Sequence, residues 1–104
     1  MLHKLKKLLG IASKVNFQDL VQNGAIVLDV RSPSEYKQGH IKGSINAPLN
    51  ELLKHISNIK KDTPIISCCA SGMRSATAKS ILKSNGFEQV YNGGSWSSLA
   101  NKIT

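Results

Sequence analysis

A chain of 104 residues has room for one small domain and little for a second. Hydrophobic residues make up 40% and charged residues 19%, as in an ordinary globular fold, and no apolar run reaches the length of about 20 residues that crosses a bilayer. The formal net charge of +8 favours anions, but the lysines are not interleaved with aromatics and no nucleic-acid motif is present, so no nucleic-acid partner is expected.

Residues 1–14 read as a basic N-terminal segment, separate from a domain over residues 15–104. Lys4, Lys6, Lys7 and Lys14 precede the first acid, Asp19, and supply half of the net charge. Leu2, Leu5, Leu9 and Ala12 fall at helical spacing, which predicts a short amphipathic helix packed on its own domain or frayed into solvent. Leu8 to Ala12 is short for a secretory apolar core. The expectation is an uncleaved, cytoplasmic protein without stable membrane insertion.

Phe17 to Gln22 reads as a brief helix ended by Asn23-Gly24. "AIVLDV", from Ala25 to Val30, is an apolar run with one acid, as in a buried parallel strand. Ser32-Pro33-Ser34-Glu35 then predicts a helix start, with Ser32 as N-cap, Pro33 at N1 and Glu35 bonding back from N3. Gly39 ends that helix, and His40 to Leu49 reads as a turn-rich connection. Asn50 to Ile59 reads as a helix with Leu52, Leu53, Ile56 and Ile59 on one face, and Pro64 to Cys68 as a second buried strand. Ser75 to Ser84 is expected to be helical and capped by Asn85-Gly86. Glu88 to Asn92 follows as a third strand, Gly93-Gly94 as a turn, and Trp96 to Ile103 as a final helix. Strands alternating with helices imply an α/β fold, a mainly parallel central sheet covered on both faces. The chemistry is expected at the carboxyl ends of the strands.

The chemistry-bearing stretch is "ISCCASGMRS", from Ile66 to Ser75, which holds both cysteines of the chain. Neighbouring cysteines are poorly placed to bridge each other, and two unbridged thiols fit a reducing compartment. Arg74 closes a C-x4-R loop counted from Cys69 and a C-x5-R loop counted from Cys68. The first spacing suits a nucleophile that carries sulfur and the second one that attacks phosphorus. Gly72 relieves the backbone where the loop curls, and small Ala70 and Ser71 leave the amides accessible. Those N–H groups and the following helix start can lower a cysteine pKa and cradle an anion. Arg74 adds a planar, fixed cation.

Three stretches then carry a resemblance. "LDVRSPSEYKQGHIKGSINAPL", "PIISCCASGMRSATAKSILKSNGF" and "YNGGSW" resemble, in order, the signatures of the single-domain rhodaneses, from about Val15 to the end. The resemblance implies the rhodanese-like three-layer fold and sulfurtransferase activity. It also aligns the loop: Cys69-Ala70-Ser71-Gly72-Met73-Arg74-Ser75 fits the family pattern C-x-x-G-x-R followed by Ser or Thr, and places Cys68 on the last strand residue. The Cys68 frame puts Gly72 one step off and lacks the histidine that usually precedes a phosphatase cysteine. By this likeness Cys69 is the nucleophile. Residues 70 to 75 (Ala70, Ser71, Gly72, Met73, Arg74, Ser75) bind the substrate, the backbone amides stabilising a persulfide and Arg74 steering an anionic donor.

The implied reaction takes sulfane sulfur from a small anionic donor such as thiosulfate and passes it to cyanide or to a thiol, on a small molecule or a protein. Many thiosulfate-using members carry a basic residue directly after the cysteine, where this chain has Ala70. Asp29 and Arg31 read as a structural pair, His40 as a structural donor and Trp96 as core or rim. His3 and His55 show no ligand spacing, so neither metal nor cofactor is expected, and the chain is expected to be monomeric. The rival readings are a non-enzymatic sulfur-carrier or binding module, and a cysteine phosphatase or arsenate reductase using Cys68.

Overall fold

The centre of the structure, a computed structural model describing residues 15–104, is a sheet of four parallel strands. The helix expected over the first fourteen residues lies outside the described residues. Strand β1 (Ile26–Asp29) is preceded by helix α1 (Phe17–Gln22), whose N-cap Asn16 accepts the Asp19 amide at 3.0 Å. Helix α2 (Pro33–Gln38) starts on the expected capping box, with Ser32 and Glu35 each bonding the other's backbone.

Strand β2 (Ile45–Asn46) follows, then a 3-10 turn at Leu49–Glu51 and helix α3 (Leu52–His55). Strand β3 (Ile65–Cys69) leads into helix α4 (Met73–Ser84), and strand β4 (Val90–Ser95) into helix α5 (Trp96–Ile103). The strands lie in the order β2-β1-β3-β4. Period-two alternation sends the side chains of β1 and β3 into two cores. On one side Leu28, Ile65 and Cys69 pack with Leu52, Ile56, Ala78 and Leu82 from α3, its end and α4. On the other side Val27, Ile66 and Cys68 pack with Leu99 of α5 and with Ile41, flanked by Phe17, Leu20 and Trp96. Helices therefore cover both faces, as expected.

Four expectations are corrected. The connection from His40 to Leu49 contains β2, a two-residue strand whose Ile45 is exposed; pairing with Leu28 and Asp29 makes it a strand, not its own pattern. The helix expected over 50–59 is broken: Leu52 and Ile56 fill the core within one turn, and beyond them the Ser57 hydroxyl caps the Lys54 carbonyl at 3.2 Å. Helix α4 starts two residues early, at Met73, because Gly72 takes φ +103° and turns the chain into it.

The fourth correction bears on the site. Gly93-Gly94 is not a turn but lies inside β4. A Cβ on Gly93 would stand 2.8 Å from Leu99 Cδ2, 2.9 Å from Ile66 Cγ2 and 3.0 Å from the Ser67 carbonyl oxygen. The glycine is there for close approach of β4 to β3. The pairing shifts register at this point, from Ser67 opposite Asn92 to Cys69 opposite Ser95, and Gly94 takes φ +79°. This bulge sets Asn92 beside the loop after β3.

Candidate active site

Between the end of β3 and the start of α4 only Ala70, Ser71 and Gly72 remain to reverse the chain. The left-handed backbone of Gly72, closed to side chains at low cost, turns successive amides back toward the strand end. The Cys69 sulfur accepts the Gly72 N–H at 2.9 Å and the Ser75 N–H at 3.3 Å. Cys69 is fully buried. That burial pushes its thiol pKa up, but hydrogen bonds from Ser75 and from the Gly72 and Ser71 amides outweigh it, and the net shift is downward. The Ser75 hydroxyl has one proton and close acceptors in Asn92 Oδ1, 2.5 Å, and the Gly72 carbonyl, 3.0 Å.

Asn92 completes the cradle. Its Oδ1 also accepts the Gly94 amide at 2.9 Å, and its Nδ2 donates to the Gly72 carbonyl at 3.4 Å. One side chain of β4 therefore ties Gly72 and Ser75, where the Cys69 turn enters α4. Of the expected loop residues, Ser71, Gly72 and Ser75 converge on the sulfur. Ala70 and Met73 stand exposed at the rim, Met73 at 79%.

Arg74 has a partner that the sequence reading did not assign. Its guanidinium forms a bidentate pair with Glu35, Nη1 to Oε1 at 2.8 Å and Nη2 to Oε2 at 3.0 Å. The Arg74 hydrogen bonds first, and then those of Ser32, hold the Glu35 carboxyl down to about 2. Glu35 thus serves two functions: it caps α2 and binds the loop arginine. Its capping role was legible in the sequence, but its meeting with a residue 39 positions away was not. Asn92 was missed for a similar reason, since the glycines after it read as a turn.

Asp29 and Arg31 form the pair read from the sequence. Both are buried, and Nε and Nη2 of Arg31 reach the carboxylate at 2.7–3.0 Å. Nη2 also donates to the Gly39 carbonyl at 2.7 Å, and the guanidinium lies 4.7 Å over the Trp96 ring. His40 is exposed, donates from Nδ1 to the Tyr36 carbonyl at 2.8 Å, and stacks on the Tyr36 ring. These three residues brace the turn after β1 and the end of α2, and make no contact with the Cys69 sulfur. Cys68 is also fully buried. Burial first, and the Asp29 charge second, push its thiol up to about 12, which disfavours the thiolate that the C-x5-R frame would need.

Comparison with known proteins bears on the family and the fold. Residues 13–101 match the family model described as the rhodanese-like domain. Thiosulfate sulfurtransferase PspE of Escherichia coli is 40% identical over 76 residues, which cover 70% of this chain and 72% of that protein. Bacillus subtilis YqhL is 38% identical over 68 residues, 65% of this chain and 54% of its own length, so the chain spans about half of that relative. Among solved structures, a rhodanese with anions from E. coli superposes with a TM-score of 0.67 at 34% identity, covering 71% of this chain and 89% of that one. With its parallel sheet, its cysteine cradle and this match over nearly its whole described length, the chain belongs to the rhodanese-like domain family.

Proposed function

We propose that the protein is a sulfurtransferase that carries sulfane sulfur on Cys69, between a donor such as thiosulfate and an acceptor thiol or cyanide. The observation that carries this reading is the pair of amide hydrogen bonds on the Cys69 sulfur, from Gly72 and Ser75. They favour the thiolate at rest and offer donors to a terminal persulfide sulfur one bond further out. In the first step the thiolate attacks the outer sulfur of thiosulfate. A sulfur–sulfur bond forms to Cys69, the donor's sulfur–sulfur bond breaks, and sulfite leaves with the electron pair. In the second step cyanide takes the outer sulfur as thiocyanate, or an acceptor thiolate takes it as its own persulfide, and the Cys69 thiolate returns. Neither step needs a general base once Cys69 is ionised, in keeping with a bracing role for His40.

The catalytic unit on this reading is residues 15–104, with residues 1–14 a basic extension. Among the described residues no helix is long and apolar enough to cross a membrane. Chemistry that requires a free thiolate favours a reducing compartment, and we assign the protein to the cytoplasm as a monomer. The test is steady-state kinetics with thiosulfate and cyanide. Parallel double-reciprocal lines and loss of thiocyanate formation in Cys69→Ser are expected. Turnover that survives Cys69→Ser would refute the assignment.

A further inference from the structure

In a chain of net charge +8, the Cys69 loop and its Glu35 partner together carry no net charge. The loop residues Ala70, Ser71, Gly72 and Met73 carry no charge, and Arg74 is the one ionic side chain among them and Ser75. That cation is cancelled by the bidentate Glu35 carboxylate, which stays ionised at every physiological pH. Beside Arg74 a groove of about 360 Å³ is lined by Val30, Ser32, Pro48, Leu49 and Asn50, none of them charged. Its size suits a small organic group, and its walls are largely aliphatic.

We propose that Glu35 is a specificity-determining residue that filters sulfur donors by charge, turning the site away from dianions and toward organic persulfides. This rests on the sulfurtransferase reading of Cys69. For a persulfide donor R–S–SH, the Cys69 thiolate attacks the outer sulfur. The new sulfur–sulfur bond forms as the donor's own breaks, R–S⁻ leaves with the electron pair, and the proton stays with the transferred sulfur. No oxidant or reductant enters. The R group occupies the groove along Val30, Pro48 and Leu49. A dianion such as thiosulfate gains little there from Arg74, because any approach to its guanidinium is also an approach to the Glu35 carboxylate.

The test separates field from turnover. Cys69 is alkylated with neutral iodoacetamide and with anionic iodoacetate in wild type, Glu35→Gln and Arg74→Met, and the rates at Cys69 are read by peptide mass spectrometry. Glutamine is accepted at N3 of a capping box, so Glu35→Gln retains the start of α2. The iodoacetate-to-iodoacetamide ratio is expected to rise about fivefold in Glu35→Gln, the scale of one unit charge acting through a wet site mouth, and to shrink toward wild type in 1 M salt. Arg74→Met, which removes the cation and leaves the carboxylate, is expected to lower the ratio below wild type. In parallel, kcat/KM for thiosulfate is expected to rise in Glu35→Gln relative to that for an alkyl persulfide. The neutral reagent controls for any change in thiol pKa or exposure. An unmoved ratio in both variants overturns the filter even where sulfur transfer proceeds. A shifted ratio without turnover of either donor leaves the filter standing and overturns the sulfurtransferase reading.

Discussion

Cys68 and Cys69 are adjacent on β3, and their side chains lie on opposite faces of the sheet. Cys69 packs with Leu28, Val30, Ala78 and Leu82, while Cys68 packs with Val27, Ile41, Ile66 and Leu99. The strand pleat that separates them also separates their chemistry. One sulfur faces the amides of its own loop, and the other faces aliphatic carbon with Asp29 nearby. On the sulfurtransferase reading, the strand itself stands between sulfur carried on Cys69 and the Cys68 thiol, and the acceptor comes from outside.

The first prediction concerns where sulfur settles. After thiosulfate or persulfide treatment, a one-sulfur adduct is expected on wild type and on Cys68→Ala, and none on Cys69→Ser, by intact and peptide mass spectrometry. Cys68→Ala removes a buried sulfur and is expected to cost about 1 kcal/mol of stability. Alanine is the better probe, because a serine hydroxyl there would need a partner among apolar neighbours. An adduct on Cys68 in the Cys69→Ser protein would show that the donor reaches Cys68 directly and that its burial does not silence it.

The pH dependence follows from the direction of the Cys69 shift. Its pKa is lowered from the ordinary 9.0, so the reactive thiolate persists to lower pH than in an unperturbed cysteine. As pH falls through that lowered value the sulfur gains a proton and the rate falls with it. Iodoacetamide alkylation of Cys69 is thus expected to show a midpoint below 9.0, with Cys68 unreactive until the chain unfolds or the pH nears 12. A Cys69 midpoint at or above 9.0 would mean that burial outweighs the amide hydrogen bonds.

Much of this architecture is legible in local sequence, where one element decides its own form. The capping box at Ser32 and Glu35 needs only four residues, and it stands where expected. The buried strands β1 and β3 announce themselves as apolar runs, and Gly72 before Arg74 marks the curl of the loop. What was not legible is set by tertiary contact. Strand β2 exists through its ladder to β1, the bulge at Gly93-Gly94 through the closeness of Ser67 and Leu99, and the Glu35–Arg74 pair through side chains that meet from the first turns of α2 and α4. No period or spacing within a segment encodes those encounters. The candidate site was therefore half visible: its loop from one stretch and a family likeness that sets the register, its braces Glu35 and Asn92 only from the fold.

The Asp29–Arg31 pair gives a stability prediction distinct from chemistry. Removing the carboxylate leaves the Arg31 guanidinium buried without its anion, with the neutral Gly39 carbonyl as its remaining hydrogen-bond acceptor. Asp29→Ala is expected to destabilise by about 3–5 kcal/mol, the usual loss on breaking a buried pair from one side. Urea denaturation would show it as a lowered midpoint with an unchanged slope. In the folded fraction, the ratio of iodoacetate to iodoacetamide alkylation at Cys69 is expected to stay at the wild-type value. A changed ratio would assign the pair a part in the field at the sulfur.

The two glycines of β4 separate crowding from backbone strain. At Gly93 the backbone is unremarkable for any residue, but an added Cβ meets Leu99, Ile66 and the Ser67 carbonyl at 2.8–3.0 Å. The carbonyl cannot move aside without parting β4 from β3, so Gly93→Ala is expected to cost about 1–3 kcal/mol, or roughly 4–8 °C in Tm per kcal/mol. At Gly94 nothing lies within 4 Å of the same position, yet φ is +79°, and alanine there pays only the left-handed penalty of about 1 kcal/mol. Gly93→Ala is therefore the more destabilising change, and thermal melts of the two variants measure the order directly. It is also the change that shifts Asn92 against Ser75 and slows Cys69 alkylation, because the bulge that aims Asn92 begins where the strands touch. Equal melts, or a larger loss at Gly94, would place the constraint in the backbone turn rather than in the contact between strands.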